Sequence, residues 1–111
     1  MSTQPITNET KPANFHEQLG QGWAKHRNGH NEAAIEIFLG VLQEDPQQIN
    51  ALYGLGLAQR SKGELQFAID SFQRCLALVN AALAANPGED EFEMLQRVVE
   101  QRLLETRAKN S

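Results

Sequence analysis

The chain has 111 residues, 41 % of them hydrophobic and 22 % charged, a balance that suits one domain with a single core and excludes general disorder. A net charge of −4 at pH 7 offers no basic field to a phosphate backbone and argues against nucleic acid as a partner. The single Cys75 excludes an intrachain disulfide framework and a Cys-rich zinc module.

Residues 1–14 place Ser2, Thr3, Pro5, Thr7, Asn8, Thr10 and Pro12 around a lone Ile6. They contain no periodic stripe and read as a mobile tail. No positive, apolar leader and no 18-residue apolar run occurs, so neither a signal peptide nor a spanning helix is expected, and the expected compartment is the cytoplasm. Asn8-Glu9-Thr10 matches a glycosylation acceptor, but a cytoplasmic chain gives it no route to modification.

Asn14 with Glu17 resembles a capping box that opens a first helix near 15–28, which Gly29 stops in the left-handed region. Ala34, Ile35, Phe38, Val41 and Leu42 recur at three- and four-residue spacing and predict a second helix near 31–44, closed by Asp45-Pro46. A third helix near 47–62 carries Leu52, Leu55 and Gly56, with Gly63 at its turn. The fourth carries Ala68, Ile69, Phe72, Cys75 and Leu76 and continues through Val79, Ala82 and Leu83 to Asn86-Pro87, about two turns longer than its counterpart. From Gly88 to roughly Lys109, the residues Phe92, Leu95, Val98, Val99 and Leu103 fall on one face. Acidic Glu89, Asp90, Glu91 and Glu93 come early and basic Arg102, Arg107 and Lys109 late, which complements the helix dipole. A helix of ~30 Å matches its lengthened predecessor and should pack on it as an antiparallel hairpin, capping the C-terminal end.

Residues 15–48 laid over 49–82 at an offset of 34 give eight identities: Gly20/Gly54, Gly22/Gly56, Ala24/Ala58, Gly29/Gly63, Ala34/Ala68, Ile35/Ile69, Phe38/Phe72 and Leu42/Leu76. Chance gives roughly two. Gly22 with Ala34, and Gly56 with Ala68, stand where the two helices of a hairpin cross, so missing volume there should let the backbones approach. This 34-residue helix–turn–helix unit resembles the tetratricopeptide repeat over roughly residues 15–82. Leu52-x-x-Leu55-Gly56 and Ala68-x-x-x-Phe72 carry the resemblance in the second unit, and Gly22, Ala34-x-x-x-Phe38 and Pro46 in the first. Gln59 departs where Tyr is usual, and Asn80 takes the place of the closing Pro. Gln18, Gln21 and Lys25 replace large apolar groups on the first helix. Polar residues there suit the solvent-facing end of a solenoid, a degenerate repeat being the alternative.

The resemblance implies an all-α, short right-handed helical-hairpin solenoid of about five helices in one domain over residues 15–111. Repeat 1 is 15–48, repeat 2 is 49–86 with its extended second helix, and 87–111 is the cap. It also implies that the first helix of each hairpin lines a concave face. The positions looking into that face are His16, Leu19, Trp23 and His26 in the first unit and Asn50, Tyr53, Leu57 and Arg60 in the second. Trp23 and Tyr53 are the chain's only Trp and Tyr, residues that dominate binding energy when a partner covers them; the alternative is that Trp23 and Leu57 are core. Some relatives grip a C-terminal carboxylate through a Lys and Asn pair, but Leu19, Trp23 and Gly54 stand at the corresponding positions here, so that mode is not expected. Lys25, His26, Arg27, Arg60 and Lys62 gather at the ends of the first helices, for dipole complementation or for an acidic partner segment.

No nucleophile motif, phosphate loop, H-E-x-x-H or calcium loop occurs. His26 and His30 are four apart, but Gly29 interrupts the helix between them and no other ligand completes a set, so no metal and no cofactor are expected. Glu32, Glu36 and Glu44 fall on a solvent face, and Cys75 at a buried small-residue position is an inert core thiol. The expected function is therefore non-enzymatic: a protein-interaction module holding a helical or extended segment of another protein. The alternative is a structural or assembly subunit completed permanently by self-association, as a homo-oligomer, or by a larger complex.

Overall fold

The computed structural model describes residues 15–111; the tail over 1–14, the Asn8-Glu9-Thr10 triplet and the capping residue Asn14 lie outside the described residues. Five helices follow one another: α1 His16–Arg27, α2 Asn31–Glu44, α3 Ile49–Lys62, α4 Leu65–Ala85 and α5 Asp90–Asn110. Each packs on its successor, and α1 also meets α3. The result is an all-α solenoid of helical hairpins with no strand among the described residues.

The two short hairpins turn in the same way. After α1, Gly29 adopts φ +82°, with its N–H bonded to the His26 carbonyl and the His30 N–H bonded to that of Lys25. After α3, Gly63 adopts φ +90°, bonded to Arg60, while Glu64 bonds to Gln59. Both are paired 6→1 and 5→2 closures, which satisfy the last carbonyls and need a residue without Cβ strain at the left-handed position. The next helices then open alike, Ala34 N–H on the His30 carbonyl and Ala68 N–H on that of Glu64, each at 3.0 Å.

Two boundaries differ from expectation. Phe15 stands at the start of α1 without a side-chain cap and is buried in the core. The third helix begins at Ile49 rather than near 47, because Asp45 holds the chain in a turn: its carboxylate accepts from the Gln47 N–H and its carbonyl from the Gln48 N–H.

Phe38 and Phe72, at equivalent places in α2 and α4, are fully buried, and the glycines are their seats. A Cβ on Gly22 would lie 2.7 Å from the Phe38 ring, one on Gly56 would lie 2.5 Å from the Phe72 ring, and one on Gly54 would also strike Phe38. The volume that Gly22 and Gly56 leave is filled by an aromatic ring of the facing helix. Gly54 seats the Phe of the preceding hairpin. Its equivalent Gly20 has no such ring beside it: among the described residues nothing lies within 4 Å of a Cβ built there.

Gln59, where the family resemblance expects Tyr, is buried and accepts a 2.7 Å hydrogen bond from the Ser71 hydroxyl, tying α3 to α4. Cys75 is buried, and desolvation pushes its thiol up to about 12. With no proline between Pro46 and Pro87, α4 runs 21 residues, as does α5. Gln96 bonds Asn80 and Asn110 bonds Gln66, so advance along α5 matches retreat along α4 and the pair is antiparallel.

Candidate functional site

Trp23 projects from α1 toward α3. Its indole N–H donates to Asn50 Oδ1 at 2.6 Å, and its ring stands edge-on to buried Phe38 at 5.5 Å. Tyr53, one turn beyond Asn50, lies 6.0 Å from Trp23 and 6.1 Å from Phe72. Each groove ring is thus backed by a core ring, which fixes its orientation while leaving it half-buried.

These residues form one wall of a cleft of about 530 Å³. Trp23, Gln48, Ile49, Asn50 and Tyr53 line it from the solenoid side, and Glu91, Phe92, Met94, Leu95 and Val98 from α5. The last helix, α5, is therefore two-faced. Val99, Leu103 and Thr106 are buried against the body, whereas Phe92 and Val98, expected on that same face, line the cleft, and Leu95 both lines it and packs on the core. Phe92, Met94, Leu95 and Val98 recur at helical spacing beside the buried set; the combined stripe is wider than one packing partner needs, which is the signal that it serves two.

Of the eight positions expected on the concave face, the structure brings Trp23, Asn50 and Tyr53 together in the cleft. Leu19 and Leu57 are half-buried and pack on the core. His16 is exposed on the first turn of α1, and the His26 ring meets Asn31 Oδ1 at 2.9 Å. Arg60 does not form an open polar edge: it pairs with Glu105 of α5 at 3.2 Å, and Arg102 reaches the same carboxylate oxygen at 2.7 Å. Hydrogen bonds from Gln101 and then Arg102 hold the Glu105 carboxyl below its ordinary range. Glu105, and after it the Tyr53 hydroxyl, raise Arg102 above its ordinary value. This network ties α5 to α3 beyond the cleft.

Lys62 is engaged as well, by Glu32 at 3.0 Å and Glu64 at 3.2 Å, whose hydrogen bonds raise its pKa. The basic residues at the end of α3 thus find their acidic partners within the chain, and the acidic partner segment expected from Arg60 and Lys62 loses its motive. No group of three or more His, Cys, Asp or Glu able to hold a metal occurs among the described residues. No helix there is long and apolar enough to cross a membrane.

The fold is similar to that of the Yersinia enterocolitica type III secretion translocator chaperone SycD, with a TM-score of 0.57 over 99 % of this chain and 97 % of that one, at 15 % identity. A second SycD structure, in complex with a peptide of the translocator YopD, gives a TM-score of 0.52 over 87 % and 95 % of the two chains, again at 15 % identity. No family model matches the chain, and no curated protein matches it in sequence.

Proposed function

We propose that the chain is a tetratricopeptide-like interaction module, acting in the cytoplasm and without catalysis, that holds an apolar segment of another protein between the α1/α3 face and α5. The observation that carries this is the open cleft itself: half-buried Trp23 and Tyr53 on one wall face Met94 and Val98, which are 63 % and 36 % exposed, on the other. Paired apolar walls left uncovered on a small domain mark a contact surface. The SycD structure with a YopD peptide lends support, since that protein of the same fold holds a partner's segment.

An extended segment fits better than a helix. Gln48 and Asn50 offer side-chain amides at the floor, and an extended main chain has free polar groups to meet them, whereas a helix has consumed its own.

A second reading, assembly with copies of itself, is favoured by Leu39, Phe67 and Leu104, which are 49 %, 62 % and 64 % exposed and do not line the cleft. Two experiments separate the readings. Selection of random peptides on the intact chain, counter-selected on Met94→Ala/Val98→Ala, should yield cleft-dependent binders. Sedimentation should give a monomer; a tight dimer that binds no peptide would favour self-assembly.

A further inference from the structure

Among the described residues that line the cleft, Glu91 alone is charged. It stands on the first turn of α5 with Asp90 and Glu93, and Glu89 precedes them. None of the four takes part in an ion pair among the described residues. The positive end of the helix dipole amounts to about half a unit charge, so it offsets only a fraction of four carboxylates. The far side is different: Arg60 and Arg102 share the single carboxylate of Glu105. The apolar cleft therefore has an acidic mouth at the start of α5, while beyond Tyr53 at its other side two guanidinium groups share one carboxylate.

We propose that the segment held in the cleft carries a Lys or Arg beside its apolar anchors, and that Glu91 with its acidic neighbours receives that cation and thereby sets the direction in which the segment lies. This deepens the reading given above and rests on it. The apolar walls hold the segment but cannot distinguish its two directions. A charge at one mouth does so, because the reversed segment brings its cation toward Arg60 and Arg102. Uncompensated acidic groups at an entrance also raise the encounter rate of a cationic ligand, an effect that salt screens.

The test uses the intact chain and one cleft-dependent peptide from the selection, made in two synthetic forms: as selected, and with its Lys or Arg replaced by Glu. Trp23 emission reports binding. The charge-reversed peptide should bind the wild-type chain about tenfold more weakly, and the selected peptide should lose a similar factor on Glu91→Lys. The reversed peptide should recover on Glu91→Lys. That rescue distinguishes a direct contact from weakening of α5, which would lower binding of both peptides. Equal affinity of the two peptides for the wild-type chain, with binding still abolished by Met94→Ala/Val98→Ala, would overturn the charge inference and leave the cleft reading standing. Failure to find any cleft-dependent peptide would overturn both.

Discussion

The indole N–H of Trp23 on α1 donates to the side-chain carbonyl of Asn50 on α3 at 2.6 Å, so the first hairpin is joined to the second by the ring that also floors the cleft. Packing against Phe38 and this hydrogen bond both orient Trp23. The proposed binding wall is therefore ordered by the chain's own contacts, which would reduce the ordering that binding requires.

Gly20 and Gly54 occupy equivalent places in the two repeats, yet Ala should have opposite effects at them. At Gly54 a methyl strikes the Phe38 ring, and overpacking should destabilise by ~1–3 kcal/mol. At Gly20 nothing among the described residues lies within 4 Å, and the gain in helix propensity should stabilise by up to ~1 kcal/mol. Urea denaturation of both variants checks the pair. Equal effects would contradict the stacking order of the hairpins.

Phe38→Ala and Phe72→Ala should each cost about 3–5 kcal/mol, as truncations of buried aromatic rings do, while Gln18→Ala, on the exposed face of α1, should change little. A Phe72→Ala protein unfolding at the wild-type midpoint would mean that Phe72 is not at the centre of the core.

Much of this architecture was legible in the sequence, and the limits have physical causes. Gly29 and Gly63, Phe38 and Phe72, and the long α4 announce themselves because each answers a local demand: a left-handed turn, a buried ring, the absence of proline between Pro46 and Pro87. The second wall of the cleft was not legible. Phe92, Leu95 and Val98 share a stripe with Val99 and Leu103, and periodicity alone cannot say which members turn inward once α5 leans on α4 rather than stacking on α3 as a further repeat would. The fate of Arg60 was hidden for the same reason, since Glu105 lies 45 positions away and meets it only through that packing.

The buried Cys75 thiol sets a pH dependence. Its folded pKa, about 12, stands above the ordinary 9.0, so the folded state holds the proton more tightly. The stability linked to that proton is complete below pH 9 and is lost as pH rises through the folded value. Between these limits the wild type should lose stability faster than Cys75→Ala, as read by denaturation at stepped pH. Native protein at pH 8 should also resist alkylation. Rapid labelling without unfolding would contradict the burial.

Removing residues 88–111 should uncover Val79, fully buried in the whole chain, together with half-buried Leu83. The shortened protein should aggregate rather than form a smaller stable domain. Light scattering and thermal melting check this. A soluble product with unchanged melting would show α5 to be dispensable to the fold.

If a partner segment lies between the two walls, the decisive measurement alters the wall that folding needs least. Met94 and Val98 are exposed, and Met94→Ala with Val98→Ala should leave the melting temperature nearly unchanged. Titration calorimetry of that double variant against a peptide selected on the wild-type chain should show affinity reduced by about tenfold or more, with Tyr53→Ala on the facing wall weakening the same peptide. Unchanged affinity in a folded Met94→Ala/Val98→Ala protein would contradict the account, because it would place the peptide somewhere other than the cleft between α3 and α5.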